Sequence, residues 1–191
     1  MEADRARKLI KAKLSNKRYQ HSLQVADTAV KMARRYGLDE YRANLAGLLH
    51  DYARDLSEEV LLETAAKNNL IGNQVERDIP ELLHGPVWAF LLKQELEIKD
   101  TELLSAISHH TLGAVGMSDL EKVIFIADMI EPGRSYNGVA ELRELAYKDL
   151  DKTMLLGLES SIRYCLDAGK TLHPQTVEAR NSFLKKVNAR E

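Results

Sequence analysis

One cysteine, Cys165, stands in 191 residues, so no intrachain disulfide can form and the chain suits a reducing compartment. Four prolines and ten glycines leave few breaks. No stretch alternates apolar and polar residues as a strand would, and no repeat or low-complexity tract is present. No apolar run approaches the ~20 residues of a membrane span, and Met1–Arg18 is charged throughout, unlike a signal peptide. A net charge of −2 supplies no global basic field for nucleic acid. The local cluster Arg5, Arg7, Lys8, Lys11, Lys13, Lys17 and Arg18 reads as a solvated helix face. These absences predict a cytoplasmic protein with no membrane and no nucleic-acid partner.

What is present is a 3.6-residue period nearly from end to end, with 45% hydrophobic and 29% charged residues, enough for a real core. The prediction is all-α: one domain over 1–191, with a metal-binding core at about 17–136 and C-terminal helices at 139–187 completing a bundle. Helices are expected over 3–14, 17–36, 40–53, 58–68, 81–95, 101–110, 119–130, 139–147, 151–168 and 174–187. Ser15-Asn16, Asp39, Ser57 and Asp100 are the capping residues. A polar loop is expected between 68 and 80. Gly47 sits inside a helix at about 1 kcal/mol of lost propensity relative to alanine, which suggests a packing reason. Cys165 reads as a small packing residue.

The chemistry gathers around His50-Asp51. Five of the six histidines and two aspartates recur as His21, His50-Asp51, His84, His109-His110 and Asp128, each within the apolar pattern of a core helix. Asp128 lies on the most apolar helix, where an unpartnered carboxylate would cost several kcal/mol. No core-facing position of the preceding helices offers it a lysine or arginine. By helical phase His110 points to the core and His109 to a polar face, so His110 is the ligand and His109 faces substrate or supports the site. His173, in Leu172-His173-Pro174, reads as a surface turn residue. Counting ligands predicts two ions. Asp51 would bridge, His21, His50 and Asp128 would complete one set, and His84 and His110 the other. Ions about 3.5–4 Å apart share a hydroxide that is nucleophilic at neutral pH. This donor set suits iron, manganese, zinc or cobalt better than magnesium.

The order His … His-Asp … His … His … Asp on successive helices resembles the HD-domain metal-dependent phosphohydrolases. More narrowly, Arg18-Tyr19-Gln20-His21, Leu49-His50-Asp51-Tyr52-Ala53-Arg54-Asp55, Leu83-His84-Gly85-Pro86, His110-Thr111-Leu112-Gly113 and Asp128-Met129-Ile130-Glu131-Pro132-Gly133-Arg134 resemble the bacterial YqeK-type symmetrical bis(5′-nucleosyl)-tetraphosphatases. The resemblance covers about residues 5–187. It implies an HD-domain bundle, ligation by His21, His50, Asp51, His84, His110 and Asp128, iron as the native metal, and cleavage of diadenosine tetraphosphate into two ADP. Asp51 is then the catalytic bridging carboxylate. Arg18, Arg54, His109, Arg134 and Tyr136 are expected at the nucleotide, with Trp88 or Tyr136 stacking on a base. Met129 and Arg54 depart from the family pattern, which often has lysine at both places, and Trp88 stands near a position where a small residue is usual. Two other functions share the motif: hydrolysis of another nucleotide, as nucleotidase or phosphodiesterase, and metal-dependent nucleotide sensing without catalysis. The C-terminal helices carry no motif and are expected to complete the core or to support a homodimer.

Overall fold

Capping side chains set where most helices begin. In the computed structural model, which describes residues 1–190, Ser15 accepts from the Arg18 amide, Asp39 from Tyr41 and Arg42, Ser57 from Val60, and Asp100 from Leu103. The elements are α1 (Ala3–Lys13), α2 (Asn16–Tyr36), α3 (Glu40–Leu49), α4 (Glu58–Lys67), α5 (Gln74–Asp78), a 3-10 turn (Pro80–Leu83), α6 (His84–Glu95), α7 (Thr101–His109), α8 (Asp119–Ile130), α9 (Val139–Leu145), α10 (Leu150–Asp167) and α11 (Pro174–Asn188). No strand occurs among the described residues, and the all-α expectation holds. Among the described residues, no helix is long and apolar enough to cross a membrane.

Three local readings change. The expected polar loop before Pro80 contains α5, because Asn73 and Glu76 close a capping box there. Helix α3 stops at Leu49 rather than Ala53. Beyond it Tyr52, Arg54 and Leu56 donate three residues back, to Leu49, Asp51 and Ala53, and tighten the chain into successive turns. The helix expected from Glu81 begins at His84, preceded by the 3-10 turn, so Pro86 falls in its first turn, where a proline is tolerated.

The core runs through nearly every helix, from Ala6 and Ile10 of α1 to Phe183 and Val187 of α11. Helix α8 lies at its centre, with Val123, Ile124, Phe125, Ile126 and Ala127 all buried, and it packs on α2, α3, α7, α9 and α10. Helices α2 and α3 lie in close contact at Gly47, where an added Cβ would stand 2.7 Å from the Ala26 Cα. That is the packing reason the sequence suggested.

Two buried polar residues were not foreseen. Lys122, on α8, bonds Asp119 at 2.7 Å and the equally buried Asp151 of α10 at 2.8 Å. Lys186 of α11 and Arg190 just beyond that helix also reach Asp151, so one carboxylate ties three helices. His173 is buried rather than a surface turn residue. Its Nδ1 accepts from the Gln175 amide and caps α11, and its Nε2 faces Glu76 at 3.5 Å. Helix capping draws it inward, a role its flanking Pro174 conceals.

Candidate metal centre

Four imidazoles converge because each sits at or near the end of a helix or on its inward face. His50 and His110 are the residues that close α3 and α7. His84 opens α6, His21 lies on α2, and Asp128 is in the last turn of α8. The negative ends of three helix dipoles, those of α3, α7 and α8, are therefore directed at one place, which favours a cation. Closeness of α6 and α7 depends on Gly85. An added Cβ there would meet the Ile107 carbonyl at 2.8 Å and His110 Cε1 at 3.3 Å.

The rings are held by their outer nitrogens. Nδ1 of His50 bonds the Gly47 carbonyl at 2.8 Å, Nδ1 of His84 the Glu81 carbonyl at 2.5 Å, and Nδ1 of His110 the Ile107 carbonyl at 2.7 Å. Nδ1 of His21 meets Glu131 Oε1 at 3.1 Å. A carbonyl or carboxylate only accepts, so each Nδ1 carries the proton and each Nε2 presents a lone pair inward. The same outward bonding is the usual support of a metal-bound histidine.

Around Asp51 the lone pairs divide into two groups. Oδ2 has His21 Nε2 and His50 Nε2 at 3.7 Å each. His21 and His50 also face Asp128 Oδ1, at 3.0 and 3.9 Å. Oδ1 has His84 Nε2 at 3.3 Å and His110 Nε2 at 3.7 Å. Three overlapping sets drawn from these six residues could each hold a metal ion: His21, His50 and Asp51; His50, His110 and Asp128; Asp51, His84 and His110. Metal fits here on the chemistry of the donors. His21 Nε2 and His50 Nε2 are buried with no hydrogen-bond partner, an arrangement that costs free energy unless a cation or proton is bound.

The electrostatics point the same way. Burial alone opposes charge on every member. For Asp51 the surrounding His50, His110 and His84 outweigh it, and for Asp128 the close approach of His21, with His50 and Arg134, does, so both carboxyls lie below the usual range and are ionised. Burial prevails at His50, pushed down to about 4, and also lowers His84. These two are neutral at physiological pH. At His21 and His110 burial is outweighed by Asp128 and Asp51, and both are raised. The carboxylates draw positive charge onto the inner nitrogens.

Exposure gives the centre a floor and a mouth. The side chains of His50, His84 and His110 are 0–3% exposed, whereas Asp128 is 19%, Arg18 31% and Arg134 38% exposed. Arg18 bonds Asp51 Oδ2 at 2.8 Å. Arg134 holds Asp128 by its carboxylate and, at 2.7 Å, by its carbonyl. Asp128 thus has a cationic partner after all, from the loop that follows its helix rather than from the helices before it.

The other expected substrate residues are placed differently. The Arg54 guanidinium pairs with Glu81, whose carbonyl also orients His84. His109 turns away from the six-residue cluster and bonds Glu121 at 2.6 Å, at the far end of α8. Tyr136 bonds the Met129 carbonyl through its hydroxyl at 3.1 Å and is half-buried. Trp88 is buried and stacked on Tyr52 with centroids 3.9 Å apart, so it is no free platform for a base. Three contributors escaped the sequence reading. Glu131 is buried behind His21 and also accepts from the Gly133 amide. Thr111 Oγ1 lies 3.1 Å from His110 Nε2. Glu81 links Arg54 to His84. Glu131 stands in the Glu-Pro-Gly-Arg loop that marked the resemblance, a signal for its importance but not for its role.

Comparison with known proteins gives the family. The family model described as HD domain matches residues 18–133. The chain is 38% identical over 187 residues to "Bis(5′-nucleosyl)-tetraphosphatase, symmetrical" of Staphylococcus aureus, covering 96% of this chain and 95% of that one. It is 35% identical over 176 residues to the protein of the same name from Bacillus subtilis, covering 92% and 94%. A crystal structure of a "predicted HD superfamily hydrolase involved in NAD metabolism" from Clostridium acetobutylicum superposes with a TM-score of 0.93 at 40% identity, covering 97% and 98%. Matched by that family model over more than half of its length and by relatives at 35–38% identity over nearly all of it, the chain belongs to the HD-domain family.

Proposed function

We propose that the protein is a metal-dependent hydrolase that cleaves diadenosine tetraphosphate symmetrically into two ADP. The observation that carries this reading is the two-sided surrounding of Asp51, with a pair of inward imidazole lone pairs at each oxygen. The names of relatives that match along almost their whole length support the substrate class.

Two ions fit the proposal. Asp51 would be shared, His21, His50 and Asp128 would complete one set, and His84 and His110 the other. Four imidazoles with two carboxylates suit iron, the metal implied by the resemblance, and also manganese, cobalt or zinc. Bound ions would supply Lewis acidity toward a phosphoryl oxygen and a nucleophilic water near neutral pH.

The chain's own groups do the rest. Ionised Asp51 and Asp128 keep the centre attractive to cations, and the outward Nδ1–H bonds fix the rings. Arg18 and Arg134, at the mouth, would hold phosphate oxygens, where a guanidinium fork matches the anion. Arg54 would lend charge from the His84 side, steadied by Glu81. Tyr136 would border the nucleotide rather than touch the ions, whereas His109, held by Glu121, would support α7 from behind. Equal division requires that each product keep two phosphates, which the length of the mouth must set.

The test is product analysis with enzyme purified without chelator and its metal content measured. ADP as sole product supports the reading. AMP and ATP in equal amounts would refute symmetrical cleavage. Faster turnover of mononucleotides or cyclic dinucleotides would move the protein to another nucleotide.

A further inference from the structure

Arg143 of α9 makes no ion pair among the described residues. It gives its guanidinium instead to three main-chain carbonyls: Nε to Ile130 at 2.9 Å, and Nη2 to Glu131 at 2.9 Å and Arg134 at 2.8 Å. Ile130 is the last residue of α8 and Glu131 its C-cap. Carbonyls at a helix end lack intrahelical partners, and a cation there meets the negative end of the dipole. A planar fork of five donors spans several acceptors at once in a way an ammonium does not.

The carbonyls it gathers belong to the loop that supplies the centre twice. Glu131 sends its carboxylate to His21, 110 positions earlier. Arg134 sends its guanidinium to Asp128, and its amide bonds the Glu131 carbonyl at 2.9 Å. That carbonyl is one of the three that Arg143 holds. Arg143 therefore grips the main chain of the residue whose side chain stands at the mouth.

We propose that Arg143 is a positioning residue: it fixes the loop of residues 131–134 so that Arg134 is aimed at the phosphates, and it sets phosphate affinity without touching substrate. The role of Arg134 as a phosphate ligand rests on the proposed function. Helix α9 is then part of the active-site apparatus rather than core completion alone.

The test uses the full-length, metal-loaded protein as wild type, R143Q, R143K, R134A and R134A/R143Q. Calorimetry measures the affinity for inorganic pyrophosphate, elemental analysis the metal per chain, and steady-state assays KM and kcat for diadenosine tetraphosphate. R143Q is expected to bind pyrophosphate about tenfold more weakly, the scale of a charge-assisted phosphate contact. Its KM rises by more than its kcat falls, its metal content equals that of wild type, and R143K lies between the two. In the R134A background the R143Q loss disappears, because neighbours acting through one contact are not additive. An R143Q loss of the same size with or without Arg134 overturns the proposal, as does unchanged pyrophosphate affinity or a loss that tracks metal content. Should R143Q not fold, the same comparison is made with R143K. Pyrophosphate coupling without cleavage of diadenosine tetraphosphate would sink the proposed substrate and leave Arg143's role standing. Cleavage without coupling would do the reverse.

Discussion

The Nε2 atoms of His84 and His110 stand 3.0 Å apart while the Nδ1 of each is bonded to a main-chain carbonyl. Two neutral rings held this way turn lone pair toward lone pair, which repels unless a positive charge is shared between them. The Asp51 carboxylate beside both supplies the anionic counterpart. The Thr111 hydroxyl, 3.1 Å from His110 Nε2, can donate to one of the two lone pairs and leaves the other unmatched.

Chelation should therefore cost stability as well as turnover. A ligand present at a hundred times its dissociation constant adds about 2.7 kcal/mol to the folded state. Stripping metal should lower the melting temperature by several degrees and abolish hydrolysis, and re-addition of iron or manganese should restore both. A chelated protein with unchanged melting temperature and full turnover would contradict a metal centre.

Glu131→Ala should weaken metal binding about 10- to 100-fold, the usual result of removing the partner of a ligating histidine. Glu131→Gln keeps an acceptor for His21 Nδ1 and should lose less. Dialysis against graded chelator, read by elemental analysis, ranks the three proteins. Equal affinity in all three would mean that the 3.1 Å contact carries no ligand support.

Gly47→Ala sets two effects against each other. Helix propensity favours alanine by about 1 kcal/mol, but the new methyl would stand 2.7 and 2.9 Å from main-chain atoms of Ala26, which cannot rotate away. Overpacking of this kind costs typically about 1–3 kcal/mol. The net expectation is a loss of stability in denaturant titration, with helix α3 pushed from α2 and His50 moved with it. Equal or greater stability would show that the two helices separate freely.

Asp151 gives an acid-stability prediction far from the centre. Burial opposes its charge, but Lys122 and Lys186 outweigh that and hold its carboxyl below the usual range. A folded value below the unfolded one contributes stability that is complete above about pH 3.9 and is lost as pH falls through the folded value. Asp151→Asn should lower stability by about 1–3 kcal/mol at neutral pH, since it leaves the buried Lys122 with only the Asp119 carboxylate as a partner. The variant should also show a smaller further loss on acidification than wild type. Parallel acid-unfolding curves would refute it.

The clustered histidines and aspartates were legible because their chemistry is rare where it stands. Histidine recurring at core positions of separate helices has no packing rationale, and local capping and periodicity place α2, α7 and α8 within a residue of their observed limits. The role of His173 was not legible, because a histidine before proline looks the same whether it faces water or caps a helix. The burial of Lys122 was hidden by its apolar neighbours, since its partner Asp151 lies on another helix.

By itself the sequence determined the helical class and the six candidate donor residues, which follow from local periodicity and from side-chain chemistry, and pointed to the family through the resemblance of its motifs. Tertiary structure alone decided which nitrogen of each ring points inward, which side of Asp51 each histidine serves, and which arginines border the mouth. It also decided that a carboxylate 110 positions away steadies His21 and that α9 braces the loop beside Asp128. The physical reason is that a hydrogen bond depends on where two helices meet, and no periodicity along one helix records the position of another.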